Sequence, residues 1–179
     1  MDGRGWVLVH PRGARDRAED LEEVREMVAA GELDVAIDEL RWLVGGCSEF
    51  IEAHALLAEL ALAAENDVAL ARGHFGVAVQ LGLKALKMAK ATGGPLPYSQ
   101  PANRPFFEAA RGLAWCLAAL KLEDKADELV ATVVKLDPSD PVGLRKLLDE
   151  FRTGGLPIVD LLADFGKREP KDEDRLTND

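Results

Sequence analysis

Three histidines and two cysteines are the side chains in this sequence best suited to bind a metal ion or act as a nucleophile. His54 lies in "EFIEAHALLAEL" near Glu52 and Glu59, but the sequence lacks the HExxH spacing that brings two zinc ligands onto one helix face. His74 lies beside Phe75 in "RGHFG", again without metal-ligand spacing. We therefore expect structural roles for the histidines, and we predict neither a metal site nor a cofactor.

The cysteines and glycines give no stronger sign of catalysis. Cys47 and Cys116 are both flanked by apolar helical sequence and do not form a CxxC pair, so we expect small buried side chains. The glycines of "GRGW" and "RGHFG" lack the spacing and the preceding strand that a phosphate-binding loop requires. We therefore predict that the chain is not an enzyme.

Composition and charge narrow the class of protein and of partner. The 179 residues, of which 47% are apolar, suffice for one domain with a real core. The net charge of −10 repels phosphate backbones, so we expect no nucleic acid as partner and a better match to basic proteins or peptides. No apolar run reaches the roughly 18 residues that span a bilayer, and "WVLV" is too short for a signal-peptide core. The expectation is a cytoplasmic protein without membrane association.

The elements that must position any site are predicted to be helices, because apolar residues recur at spacings of three and four along most of the chain. In "DLEEVREMVAAGELDVAIDELRWLV" two such patterns flank Gly31, which is typical of a tight helix–turn–helix. Two further pairs follow, and then two shorter patterns in "DPVGLRKLLDEFR" and "LPIVDLLADFG". The fold class predicted is all-α.

The three helix pairs align as an internal repeat. The second helices share a small residue and, four positions on, a larger apolar one, while the first helices share a slim residue that faces the partner helix. These positions are Ala36, Ala71 and Ala126, then Leu40, Phe75 and Val130, then Val24, Ala58 and Ala114. Small side chains at such positions let two helices approach until ridges enter grooves.

This pattern resembles the tetratricopeptide repeat (TPR) family. The matching residues are Leu57, Ala58, Ala71, Phe75 and Ala78 in the second pair, Leu113, Ala114, Ala126 and Pro138 in the third, and Gly31, Ala36 and Leu40 in the first. Where the family usually has an aromatic residue early in the first helix, this chain has His54 or Ala110. The resemblance implies a right-handed α-solenoid of three TPR-like helix pairs with a C-terminal capping helix pair.

The resemblance also sets the expected boundaries. An N-terminal extension covers residues 1–16, and a single TPR-like domain covers residues 17–166, followed by a charged tail at 167–179 that we expect to be disordered. Within the domain, the repeats are about 17–48, 49–84 and 106–140, an insertion is 91–105, and the capping helices are 141–166.

The insertion contains "GGPLPYSQPANRP", which holds four of the nine prolines. Ala36 and Ala71 are 35 residues apart, near the family period of about 34, whereas Ala71 and Ala126 are 55 apart. We therefore interpret the proline-rich stretch as an insertion inside one solenoid. The sequence leaves open whether it acts as a lid, a brace or a contact surface.

In the resembled family, peptides bind a concave face lined by the first helix of each pair. The lining positions carried over are Leu21, Arg25 and Val28, then Glu52, Ala55, Glu59 and Leu62, then Glu108, Arg111, Trp115 and Ala118. From these we predict a peptide-binding site made of Arg25, Glu52, Glu59, Leu62, Glu108, Arg111 and Trp115. The expected ligand is a protein or peptide segment with apolar and basic residues, and the module is a scaffold or adaptor.

Three alternatives stay open at this point. Trp115 is equally compatible with a place in the core, under the insertion or the C-terminal helices. The chain is also compatible with a homodimeric structural subunit that uses Trp6, Trp42 or the insertion as its contact. A third alternative is an enzyme or small-molecule site beneath the insertion, near Tyr98, Arg104 and Arg111.

Overall fold

The computed structural model describes residues 5–91 and 94–154, and every regular element in those ranges is helical. The helices are α1 (Arg12–Arg15), α2 (Ala18–Ala29), α3 (Leu33–Gly46), α4 (Ile51–Glu65), α5 (Val68–Met88), α6 (Arg104–Ala119), α7 (Glu123–Leu136) and α8 (Leu144–Gly154), with a 3₁₀ turn at Pro101–Asn103. The all-α prediction is confirmed for these residues. The second capping helix, predicted in "LPIVDLLADFG", and the tail at 167–179 lie outside them.

The ends of several helices follow the local chemistry of the sequence. Gly31 has a φ of 81° between α2 and α3, a conformation that glycine adopts without steric cost. Asn66 ends α4 in the left-handed region, and the Asp67 carboxylate then caps α5 by accepting a hydrogen bond of 2.9 Å from the Leu70 N–H. The adjacent residues Asn66 and Asp67 therefore end α4 and begin α5.

Two other helix boundaries are set by a left-handed residue and by a carboxylate cap. Helix α5 ends at Met88, and the turn that closes it is made by Lys90 with a φ of 52°. Helix α8 is capped by Asp140, which accepts hydrogen bonds from Leu144 N–H at 2.8 Å and Arg145 N–H at 3.0 Å. The "LDPSDP" segment therefore stops one helix and starts the next.

The helices from α2 to α8 pack in chain order, each against the next one along the sequence. Two further contacts join helices that are not consecutive, since α4 packs on α6 and α6 packs on α8. Helix α4 belongs to both hydrophobic clusters of the core, because its Leu56 and Leu60 pack with α2 and α3 while its Ala55 and Ala58 pack with α5 and α6. It is therefore the central helix of the described structure.

The residues aligned as an internal repeat are buried. Val24, Ala58 and Ala114 in the first helices are 0% exposed, and Ala36, Ala71 and Ala126 in the second helices are at most 1% exposed. Leu40, Phe75 and Val130, which follow four positions later, are 8% exposed or less. The expected burial of these positions is confirmed in all three helix pairs.

Helices α5 and α6 are joined by two reciprocal close contacts. The Phe75 ring of α5 lies on Gly112 of α6, and the Phe106 ring of α6 lies on Gly82 of α5. Both rings are fully buried, and a Cβ atom at either glycine would overlap the facing ring. Glycine is required here because the backbone of one helix must approach the aromatic ring of the other.

The insertion is attached to the end of α7 instead of projecting from the helices. Leu96 is fully buried, and its N–H donates a hydrogen bond of 2.8 Å to the Leu136 carbonyl. The Tyr98 N–H donates to the Asp137 carboxylate at 3.0 Å. The proline-rich stretch therefore connects the end of the second helix pair to the end of the third.

We expect Gly82→Ala to destabilise the protein and Gly76→Ala, in the same helix, to stabilise it. An added Cβ at residue 82 must displace the buried Phe106 ring, and overpacking of this kind costs about 1–3 kcal/mol, more than the gain of about 1 kcal/mol in helix propensity. A Cβ at Gly76 would meet no other atom within 4 Å, so only the propensity gain remains. The free energy of unfolding in urea measures both changes, and a stabilising effect at both positions would contradict the packing described for Phe106.

Candidate functional site

The accessible face of α4 is limited to three side chains over most of the helix. From Ile51 to Leu62, only Glu52, Glu59 and Leu62 are half-buried, whereas every other residue is buried. All three were predicted to bind a ligand. Their spacing of seven and three residues places them on one stripe of the helix. Any ligand that contacts α4 along this stretch must therefore do so through these side chains.

Helix α6 also has a stripe of accessible side chains. Glu108 is exposed, while Arg111, Trp115 and Ala118 are half-buried, and their spacings of three and four residues place them on one face. Because α4 packs on α6, the two stripes belong to neighbouring helices. We call the residues Glu52, Glu59, Leu62, Glu108, Arg111, Trp115 and Ala118 the first-helix face.

Arg25 of α2 is joined to this face by an ion pair. Its guanidinium contacts the carboxylate of Glu52 on α4 and also that of Glu22, 2.8 Å away on its own helix. The Arg25 side chain is 19% exposed and that of Glu52 is 32% exposed, so the pair is partly shielded from water. Glu52 therefore already has a cation of the protein's own, which reduces its capacity to select a basic ligand.

Glu108 and Trp115 both contact segments outside the helix pairs. The Tyr98 hydroxyl of the insertion donates a hydrogen bond of 3.3 Å to the Glu108 carboxylate. The Trp115 indole makes an edge contact with Phe151 of α8, with ring centroids 6.1 Å apart, and remains half-buried. Trp115 thus combines the two interpretations that the sequence left open, since its ring packs on α8 and its side chain is still only half-buried.

Three of the lining positions carried over from the family are nearly closed to solvent. Leu21 and Val28 of α2 are 2% and 7% exposed, and Ala55 of α4 is 5% exposed. The expectation that Val28 and Ala55 line a groove is wrong, because both are buried, whereas Leu21 borders a small pocket at the first helix pair. Leu21 and Val28 share a narrow apolar stripe with Val24, and all three pack in the core with α3 and α4.

A small pocket of about 180 Å³ lies at the first helix pair. It includes Arg25 and Glu52, and the N-terminal extension contributes His10, Ala14 and Arg15 to its lining. Sequence reasoning missed these three residues, because nothing in residues 1–16 indicates where an extension will fold back. The volume is below the roughly 300 Å³ of a drug-sized ligand site, and a single side chain of a partner fits it better.

His54 of α4 and His74 of α5 form a pair whose Nδ1 atoms are 3.4 Å apart. The Nε2 atom of His54 lies 3.1 Å from the Ser48 carbonyl, so it must carry a proton to donate there. In the neutral form of His54, Nδ1 is then the acceptor for the N–H of His74. The pair joins α4 to α5.

Burial is the main cause that lowers the pKa of both histidines below the ordinary value of 6.5. For His54 the hydrogen bond to Ser48 opposes this effect, and for His74 the neighbouring His54 and Arg41 add to it. Within residues 5–91 and 94–154, no three histidine, cysteine or acidic side chains are grouped closely enough to hold a metal ion.

The remaining groups with possible reactivity have structural contacts. Burial raises the pKa of the Cys116 thiol to about 12, so the thiol is protonated at neutral pH.

Beneath the insertion, the Arg104 guanidinium lies 5.6 Å from the centroid of the Tyr98 ring, and that ring packs edge-on against Phe107. No helix among the described residues has the length and hydropathy needed to cross a membrane.

No protein-family model matches the chain, and no curated protein or solved structure matches it significantly. What the site can do must therefore be inferred from its own residues.

We expect the free energy of unfolding to decrease as the pH falls through and below about 6.5, because the folded histidine pair binds fewer protons than the unfolded chain. The lowered pKa values contribute stability that is fully present above the pKa of the histidines in the unfolded chain. This contribution is lost as the pH falls toward their lower pKa values in the folded protein. Urea unfolding at about pH 7.5 and about pH 5.5 measures the change. In the double variant His54→Gln with His74→Gln, the pH dependence should become flatter.

The matched control is His10→Gln, which removes a histidine outside the pair. An equally steep pH dependence in the double variant and the wild type would show that the pair is not the titrating element.

Proposed function

We propose that the chain is a non-catalytic protein-interaction module of TPR-like architecture, in which the helix pairs stack as a right-handed α-solenoid. The proposal is carried by the contacts between the first helices of successive pairs, which are α2, α4, α6 and α8. Helix α4 packs on α6 and α6 packs on α8, and an ion pair joins Arg25 of α2 to Glu52 of α4. The second helices α3, α5 and α7 make their main contacts with first helices. Such packing favours a stack that curves with the first helices on its inner side.

On this proposal, a peptide segment binds along the first-helix face. Leu62, Trp115 and Ala118 supply apolar contact area, and tryptophan is among the residue types that contribute most to binding free energy at interfaces. Glu59 and Glu108, on the same two helices, supply negative charge. The preferred ligand is therefore a segment in which apolar anchors alternate with lysine or arginine.

The charge of the face supports the same class of ligand. The first-helix face carries three glutamates and one arginine, Arg111, while Arg25 is held by Glu22 and Glu52. A carboxylate-binding clamp needs several basic side chains directed at one point, and this face offers Arg111 for that role. The C-terminal carboxylate of a partner is therefore a poorer match than an internal basic segment.

A peptide array of apolar and basic sequences tests the proposal, with binding of selected peptides measured by fluorescence anisotropy. Trp115→Ala should weaken binding by about tenfold or more, as expected for loss of a central aromatic anchor. Glu108→Lys should weaken the binding of basic peptides and reduce its dependence on salt, since a favourable charge pair is replaced by a repulsive one.

The matched control is Trp42→Ala, which removes an indole that is 57% exposed on the second helix α3 and lies under the Arg17 guanidinium. Equal losses for Trp42→Ala and Trp115→Ala, with both variants folded by circular dichroism, would refute a site on the first-helix face.

A further inference from the structure

The N-terminal residues 5–10 lie along the insertion as an extended segment whose backbone is bound by one amide side chain. The Asn103 carboxamide is 0% exposed, and its oxygen accepts a hydrogen bond of 2.8 Å from the Leu8 N–H. Its nitrogen donates to the Trp6 carbonyl at 3.0 Å and to the Pro97 carbonyl at 2.9 Å. The side chain thus links the segment to the loop through both of its polar atoms.

Further contacts join the segment to the loop on both sides of Asn103. The Trp6 N–H donates to the Pro95 carbonyl at 2.8 Å, and His10 Nε2 lies 2.8 Å from the Ala102 carbonyl. Gly94 of the loop passes so close to the Trp6 indole that a Cβ atom there would overlap it. We call the loop residues 94–103 that receive the segment the seat.

The seat takes up one side chain of the segment. Leu8 is 5% exposed and joins the hydrophobic cluster that contains Leu96 of the loop. Its apolar neighbours in the segment are more accessible, since Trp6 is 41%, Val7 47% and Val9 80% exposed. Recognition therefore depends on the extended backbone, the buried leucine and the contact of the Trp6 indole with Gly94, and these are present in every copy of the chain.

A short connection joins residues 5–10 to the rest of the chain, and it packs on the other hydrophobic cluster of the core. After Pro11 comes α1, which has four residues, and its Ala14 packs in the cluster formed by α2 and α3. Residues 5–10 and helix α1 thus contact different hydrophobic clusters, with Pro11 between them. A rotation of the backbone near Pro11 would separate the segment from the seat without changing the packing of α2.

We propose that the seat is a binding site for an extended apolar segment and that it accepts residues 5–10 of a second copy of this chain, giving a dimer with exchanged N-terminal segments. The seated segment shows that the site binds this sequence, and the same contacts form whichever chain supplies it. In the monomer the segment competes at a high effective concentration, so the exchange increases with chain concentration. The inference does not depend on the first-helix face.

Two complementary full-length variants test the proposal. Leu8→Glu disables the segment and leaves the seat intact, whereas Asn103→Ala disables the seat and leaves the segment intact. Size-exclusion chromatography with light scattering should show concentration-dependent dimers for the wild type at up to about millimolar chain. Each variant alone should form at least about tenfold less dimer, because burial of Leu8 is lost in one and the backbone hydrogen bonds in the other.

An equimolar mixture of the two variants should recover dimers, since the intact segment of one chain can occupy the intact seat of the other. The control is Val9→Glu, which changes an exposed residue next to Leu8 and should dimerise like the wild type. Circular dichroism must show that each variant is folded. A mixture that stays monomeric, or dimers that persist in Leu8→Glu alone, would overturn the proposal, the latter by locating the dimer contact elsewhere.

Discussion

The reciprocal packing of Phe75 on Gly112 and of Phe106 on Gly82 is the contact on which the rest of the structure depends. It joins the second and third helix pairs directly, although the insertion separates them in the sequence. Because the two contacts lie at different heights along α5 and α6, they fix the antiparallel orientation of these helices as well as their distance. A larger residue at either glycine would push the helices apart.

The position of α6 determines what the candidate site looks like. With α6 held against α5, it also packs on α4, so the stripe of Glu108, Arg111 and Trp115 and that of Glu52 and Glu59 belong to neighbouring helices. Helix α4 is buried on nearly every side, so few of its positions remain accessible to a ligand. The insertion then adds a contact of its own through the Tyr98 hydroxyl on Glu108.

Much of the helical framework could be predicted from the sequence, because helical periodicity and helix ends are local properties. The burial of Ala36, Ala71 and Ala126 follows from aligning the repeats, and the cap at Asp67 follows from its residue type. The expectation that Val28 and Ala55 line a groove was wrong, since periodicity shows that residues share a face but does not show what covers that face. The attachment of the N-terminal segment to Asn103 gave no local signal, because it joins residues more than ninety positions apart.

The sequence by itself determined the class of structure: helices in pairs, small residues where helices meet, and an acidic chain with few reactive groups. These properties depend on side-chain size, backbone preference and charge, all of which can be read residue by residue. Only the tertiary structure decided which face of each helix stays accessible, that Arg25 neutralises Glu52, and that the proline-rich loop holds the N-terminal segment. Those outcomes depend on contacts between distant residues, whose free energy exists only once the helices are packed.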